Sequence, residues 1–342
     1  MTIPDQETPR PLRRPRRLRR TETIRRLVRE TRLTPDRLVL PVFVIEGTNR
    51  CEAIDAMPGR ARMSIDRTLD ECREAVSLGV RSFAIFPAID SELKTEDARE
   101  GLNPENLVCR TVRAFKEKLP DACVITDIAL DPYSSQGHDG LISPDGVVLN
   151  DETVDVLSRM AVVHAQAGAD IVAPSDMMDG RVAGIRAALD AAGHTDISVL
   201  SYTAKYASSF YGPFREALGS APVDAPNVPK DKMTYQMDPA NAREASIEAM
   251  LDEEEGADML MVKPALPYLD VIARLRSQTD LPIAAYQVSG EYAMIKAAAR
   301  NGWLDERACM IEALTAIARA GADVIFTYAA HDYARWFRQS SD

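Results

Sequence analysis

Short apolar runs alternate with amphipathic stretches eight times along this chain, and that alternation restricts the fold more than any other feature of the sequence. The runs predict strands at Leu38–Ile45, Ser82–Phe86, Cys123–Ile128, Ile171–Ala173, Ser198–Tyr202, Asp258–Lys263, Pro282–Val288 and Val324–Tyr328. Between them, the spacing predicts a helix capped by Ser64 and stopped at Gly79, and others at about Asn106–Lys118 and Thr153–Ala167. A further helix starts near Gly180, and one closes the chain by Arg338. Strands apolar on both faces need cover on both faces, which a parallel sheet with helical crossovers supplies. Eight such units predict an α/β fold of the (β/α)8 TIM-barrel type. An open doubly wound sheet is the runner-up, but no glycine-rich phosphate turn follows the first strand.

An internal echo supports the repeating unit. Ala-Gly-Ala-Asp170, Glu-Gly-Ala-Asp258 and Ala-Gly-Ala-Asp323 each precede an apolar run, so that a helix ends, glycine turns the chain and a strand begins. The 46% hydrophobic content suffices for a large core, and no apolar run approaches the ~20 residues of a membrane-spanning helix. The basic start has no apolar segment behind it, unlike a secretory signal. Five scattered cysteines without a CxxC pair argue against a disulfide framework or thiolate zinc cluster, and point to a reducing cytoplasm.

Charge separates the chain into an arm and a body. Residues 1–37 hold twelve arginines against five acids, a balance of +7, so the remainder of a chain with net charge −11 carries −18. Residues 1–36 therefore read as an extended arm with a short helix over Thr21–Arg32, and 37–342 as the barrel. Such an arm suits nucleic acid or an acidic neighbouring subunit. Prolines among the arginines and the lack of aromatic stacking partners favour subunit contact, with no nucleic acid and no membrane as partner.

Function in a barrel sits where strands end. The residues there are Asp127, Ser175, Lys205 (just past its strand), Lys263, Ser289 and Tyr328. In Asp258-Met-Leu-Met-Val-Lys263-Pro264 an apolar run leads directly into an amine. One reading is a lysine extending its head to the rim; the other is a desolvated amine, neutral enough to attack a carbonyl. A second lysine on the neighbouring strand favours neutrality further, unless the two pair with rim carboxylates. The loop from Thr126 to Gly140 contains Asp127, Asp131 and Asp139, hard oxygen donors of the kind Mg2+ takes, though aspartate is also common in turns. His138 reads as a structural loop residue.

Several longer motifs resemble the porphobilinogen synthase (5-aminolevulinate dehydratase) family. They are Ser201-Tyr-Thr-Ala-Lys205-Tyr-Ala-Ser-Ser-Phe-Tyr-Gly-Pro-Phe-Arg215, Met261-Val-Lys263-Pro264 and Tyr286-Gln-Val-Ser-Gly-Glu-Tyr292, with Arg13-Arg-Pro-Arg-Arg-Leu-Arg19 and Ala173-Pro-Ser-Asp-Met-Met-Asp179-Gly180. The resemblance covers nearly the whole chain. It implies the condensation of two 5-aminolevulinate molecules to porphobilinogen with loss of two waters, in tetrapyrrole synthesis. On this sequence it implies a Schiff base at Lys263, a second amine at Lys205, and Asp127, Asp131 and Asp139 as further catalytic groups. Ser289 and Tyr328 match the first substrate's carboxylate site. Arg215, Lys232 and Gln236 match the second, on a lid spanning about 211–235. Ser175, Tyr202 and Phe214 complete the substrate-binding set.

Where zinc-using members carry three cysteines, this chain has Ala129, Asp131 and Asp139. The resemblance therefore implies the aspartate-rich, magnesium-responsive type, with no zinc and no organic cofactor, and an allosteric Mg2+ at Glu248. It also implies homo-octamers of arm-swapped dimers. Two rivals stand beside it: a class I aldolase-like barrel acting on sugar phosphates, and a nucleic-acid-binding protein using the arm.

Overall fold

Eight parallel strands close into a ring in the computed structural model, which describes residues 13–339 as two units dividing between Arg32 and Leu33. The strands are β1 (Leu38–Val44), β2 (Ser82–Pro87), β3 (Cys123–Ile128), β4 (Ile171–Pro174), β5 (Ser198–Lys205), β6 (Met259–Lys263), β7 (Ile283–Gln287) and β8 (Val324–Thr327). Each pairs with its sequence neighbours, and β8 closes on β1 with Leu38 opposite Ile325. This is the (β/α)8 barrel, with all eight predicted strands in place. Helices over Ile65–Ser77, Leu107–Lys118, Asn150–Ala167, Arg181–Ala191 and Ala330–Gln339 match the expected ones. The strands bury Leu40, Val42, Val124, Val172, Leu200, Leu260 and Ile325, the branched aliphatic filling that a closed barrel needs.

The repeated Gly-Ala-Asp has a physical cause. Gly168, Gly256 and Gly321 take φ of 104°, 98° and 124°, which turns the chain from helix to strand. The aspartate then reaches sideways. Carboxylates of Asp170, Asp258 and Asp323 accept the N–H of Val124 (2.7 Å), Val199 (2.7 Å) and Ile283 (3.0 Å), at the starts of β3, β5 and β7. Each thus satisfies a main-chain donor of the preceding strand at the N-terminal end of the barrel, the end that serves stability.

Two local expectations change. Ser64 stands at the helix N-cap position, but its hydroxyl accepts from the N–H of Arg50 (2.9 Å) and donates to Asp66 (2.6 Å) instead of capping. The arm helix spans only Glu22–Leu27, with Thr21 accepting from the N–H of Ile24 (3.2 Å). None of its residues is buried, so it is held by that cap and by exposed ion pairs of Glu22 with Arg25, Arg26 and Arg29, without apolar packing. The first twelve residues of the predicted arm lie outside the described residues. Two hairpins, Cys51–Ala53 with Ala61–Met63 and Leu141–Ile142 with Val148–Leu149, went unseen, because strands of two or three half-exposed residues leave no apolar run. Among the described residues no helix is long and apolar enough to cross a membrane.

Candidate active site

The ends of β5 and β6 bring the two lysines together. A register shift between these strands places an extra residue in β5, after which Lys205 stands directly opposite Lys263 in the ladder. β5 runs three residues beyond its predicted end, so Lys205 belongs to the strand itself. Lys263 is 6% exposed, and its Nζ lies 4.6–5.3 Å from the ring centroids of Tyr286, Tyr202, Phe214 and Tyr211. Burial, then the neighbouring Lys205 ammonium, pulls its pKa down to about 7. The rim reading therefore fails for Lys263: its amine is enclosed by aromatic walls and partly neutral at physiological pH.

Lys205 is tied differently. Its ammonium donates to the carbonyl of Ser175 and lies 3.4 Å from Asp139. Asp139 also meets Lys232 at 3.1 Å, and Lys232 reaches Asp131 at 3.4 Å. The four form a buried chain of alternating charge. Burial opposes ionisation of Asp139, but the two ammoniums outweigh it and hold the carboxyl well below its ordinary range. Burial likewise works against the charge on Lys232, and the Asp131 and Asp139 carboxylates more than offset it, raising its pKa. Asp127 is the contrast. Burial, then Asp131, pushes it up to about 7, with Lys205, Ser175 and Lys263 pulling the other way. One of its oxygens is buried without a partner, as is the amide oxygen of Gln236. The site thus holds a partly neutral amine and a partly protonated acid together, a pairing suited to proton transfer.

These groups line one small pocket of about 30 Å3, formed by Asp127, Asp131, Asp139, Ser175, Lys205, Phe214, Arg215, Lys232, Gln236 and Lys263 with Phe86, Tyr211 and Ser220. That volume fits roughly one water, so a larger molecule enters only if the cover moves. The cover is the predicted lid, whose first part is a helix over Gly212–Leu218. Arg62 donates to the carbonyl of Ala217 (3.0 Å) and Lys94 to that of Gly219 (2.8 Å), cations placed at a helix C-terminus. Further along, His138 contacts the Pro229 carbonyl (2.8 Å) and the Tyr235 hydroxyl (3.1 Å). The loop histidine is therefore structural, as its isolation suggested, and what it holds is the lid.

Ser289 and Tyr328 stand outside the pocket. The Ser289 hydroxyl accepts from the N–H of Phe214 (3.0 Å) and the Tyr328 hydroxyl pairs with that of Tyr286 (3.0 Å). The Phe214 ring packs edge-on to Phe86 with centroids 5.2 Å apart. Glu248 is remote from the lysines; it lines a separate cavity of about 460 Å3 with Glu244, Asp179 and Asn150. Burial pushes its carboxyl up to about 7. Sequence reasoning missed Tyr286, Tyr211 and Phe86. For Tyr286 and Phe86 a signal was present, aromatic residues near the C-terminal ends of barrel strands, where the barrel interior otherwise favours branched aliphatics; Tyr211 lies past β5 at the start of the lid.

Gly137 sits under the lid at φ 73°, and a Cβ there would lie 2.2 Å from the Ala221 carbonyl oxygen. Gly137→Ala is expected to displace the lid at Ala221 and raise KM for the substrate about tenfold, and to cost more than the ~1–2 kcal/mol of the left-handed backbone alone, read by steady-state kinetics beside thermal unfolding.

Comparison with known proteins agrees with this geometry. The profile of the Delta-aminolevulinic acid dehydratase family matches residues 12–336. A chloroplastic delta-aminolevulinic acid dehydratase of Physcomitrium patens is 56% identical over 309 residues, 90% of this chain and 70% of the relative. That of Bradyrhizobium diazoefficiens is 55% identical over 302 residues, 88% of this chain and 84% of the relative. The crystal structure of the Toxoplasma gondii ME49 enzyme, in complex with the reaction product porphobilinogen, superposes with a TM-score of 0.92 at 51% identity, covering 95% of this chain and 91% of that one. The chain belongs to the delta-aminolevulinic acid dehydratase family.

Proposed function

We infer that the chain is a porphobilinogen synthase, a hydro-lyase that condenses two 5-aminolevulinate molecules with loss of two waters. The observation that carries this reading is the desolvated Lys263 amine facing Lys205 across the β5–β6 ladder. A neutral amine adds to the substrate ketone; loss of water leaves an imine, which acts as an electron sink for bond formation at the adjacent carbon. Lys205 holds the second substrate beside the first. Asp127, with its unpartnered oxygen and near-neutral pKa, is placed to take the substrate ammonium or move its proton. Arg215, Lys232 and Gln236 line the pocket from the lid and bind the second carboxylate, so lid closure and substrate binding are one event. Opening the lid withdraws Phe214 and frees the Ser289 hydroxyl from the Phe214 N–H, and Ser289 then binds the first carboxylate together with Tyr328, whose hydroxyl is held by Tyr286.

The donor set supports the magnesium-responsive type. Ala129 offers no ligand atom, and Asp131 and Asp139 are hard oxygens already facing ammoniums. Glu248, Glu244 and Asp179 line a cavity wide enough for a hydrated ion, and Mg2+ keeps most of its waters where one or two carboxylates bind it. Bound there, Mg2+ supplies charge compensation remote from the reacting atoms. The five cysteines are free, as in a reducing compartment such as the cytoplasm.

An assay of porphobilinogen formation before and after chelation tests substrate and metal together. Activity that falls on chelation and returns with Mg2+ but not Zn2+ is expected; no turnover of 5-aminolevulinate under any condition would refute the reading. The arginine arm serves assembly into octamers of arm-swapped dimers. Deleting residues 1–20 is expected to yield smaller assemblies in sedimentation, and full-size particles would contradict that role.

A further inference from the structure

The Glu291 side chain is fully buried, at 0% exposure, in the third position of the helix Ser289–Arg300. One of its oxygens accepts the N–H of Val288 at 2.7 Å, the ordinary reach of a carboxylate back across its own helix start. That bond alone would satisfy a helix cap. The carboxylate does more: it also accepts the N–H of Leu266 at 2.7 Å and of Ala265 at 3.3 Å, from the loop that follows β6. Three main-chain donors from two loops therefore converge on one side chain. One loop begins after Lys263 and the other, at Val288, leads into Ser289.

Burial pushes the carboxyl up to about 7 against the pull of the three amides, and among the described residues no lysine or arginine is a cause of its shift. Burying a carboxyl group away from any cation costs stability, which its three amide bonds offset only in part. On the other side of the peptide, the Lys263 carbonyl accepts the N–H of Tyr206 (3.0 Å) and the Tyr211 hydroxyl (3.2 Å). The main chain that leaves the Lys263 Cα is thus fixed at its carbonyl and again at Ala265 and Leu266.

We propose that Glu291 is a positioning residue for the reaction: its carboxylate staples the Lys263-Pro264-Ala265-Leu266 turn to the start of the Ser289 helix, and so sets where the imine-forming amine stands relative to the hydroxyl that binds the first substrate's carboxylate. The inference rests on the porphobilinogen synthase reading for the roles of Lys263 and Ser289. Glutamine at 291 would keep the volume but turn an NH2 toward N–H donors, and the staple would open on one side. A displacement on the order of 1 Å at a reacting group costs ~100-fold in rate.

The test compares the full-length protein with Glu291→Gln and Glu291→Asp. The readouts are kcat, KM for 5-aminolevulinate, the rate of borohydride-trapped adduct at Lys263 and thermal unfolding. Glu291→Gln is expected to trap at Lys263 about 10- to 100-fold more slowly and with a higher KM, while unfolding in one cooperative step. Glu291→Asp, which retains the charge, is expected to recover part of that loss. Trapping and KM within twofold of the parent in Glu291→Gln would overturn the proposal, as would no recovery in Glu291→Asp. If neither variant folds, amide exchange in the unmodified protein decides: Val288, Ala265 and Leu266 are expected to exchange together as one unit, and independent exchange would overturn it. Failure of the unmodified protein to trap at Lys263 would instead count against the functional reading, a separable outcome.

Discussion

Replacing Lys263 with methionine is expected to abolish porphobilinogen formation, by roughly 10⁴- to 10⁶-fold, the scale on which covalent nucleophiles matter. Methionine fills the same volume among Tyr286, Tyr202, Phe214 and Tyr211, so no cavity confuses the result. The variant is also expected to melt higher than the parent at neutral pH, since a desolvated amine is removed from an apolar cage. The pH dependence follows from the same group. Lys263 titrates at about 7 when folded, against 10.5 for an ordinary exposed lysine. The unfolded chain therefore binds more protons between these values, and the contribution of this lysine to stability rises with pH across that window. The neutral amine that attacks the ketone likewise accumulates as pH rises through 7. Trapping rates measured from pH 5 to 9 are expected to climb to a plateau above 7; a rate that rises only near pH 10 would mean an amine that the pocket does not perturb.

The second large effect is expected at Asp139. This carboxylate lies between the ammoniums of Lys205 and Lys232, and Asn there would leave Lys205 with only the Ser175 carbonyl and Lys232 with only Asp131. Breaking one member of a buried charged network costs about 3–5 kcal/mol. Because the folded pKa of Asp139 is depressed, its contribution is complete above the unfolded carboxyl value of 3.8 and is lost only as pH falls through the lower folded value. Asp139→Asn should thus show its full destabilisation in denaturant unfolding at every pH from 5 to 8. It should also lose ~100-fold or more in rate, because both amines that face substrate shift. A stability difference under ~1 kcal/mol would show that the pairs are solvated in solution.

The strands and the strand-end residues were legible because both follow from short-range rules. A buried parallel strand is an apolar run, and the polar residue that ends it points into the site. That logic placed Asp127, Lys205 and Lys263 without any knowledge of contacts. What it could not resolve was whether Lys263 sat at the rim or in an aromatic cage, since Tyr286 and Phe214 arrive from elements far along the chain. The staple at Glu291 was hidden for the same reason: helix-cap spacing explains one of its bonds, while the others come from residues 25 and 26 positions away. The Gly-Ala-Asp echo was visible as a pattern, but its purpose, an aspartate accepting from the neighbouring strand, needed the closed barrel. Family motifs supplied the substrate, which no strand pattern encodes.

The central claim is that Lys263 forms an imine with 5-aminolevulinate. Borohydride reduction in the presence of that substrate, followed by peptide mass mapping, tests it directly. The account predicts a reduced adduct on the peptide containing Met-Val-Lys263-Pro, absent without substrate and absent in Lys263→Met. An active enzyme that is labelled elsewhere, or not labelled at all, would contradict it.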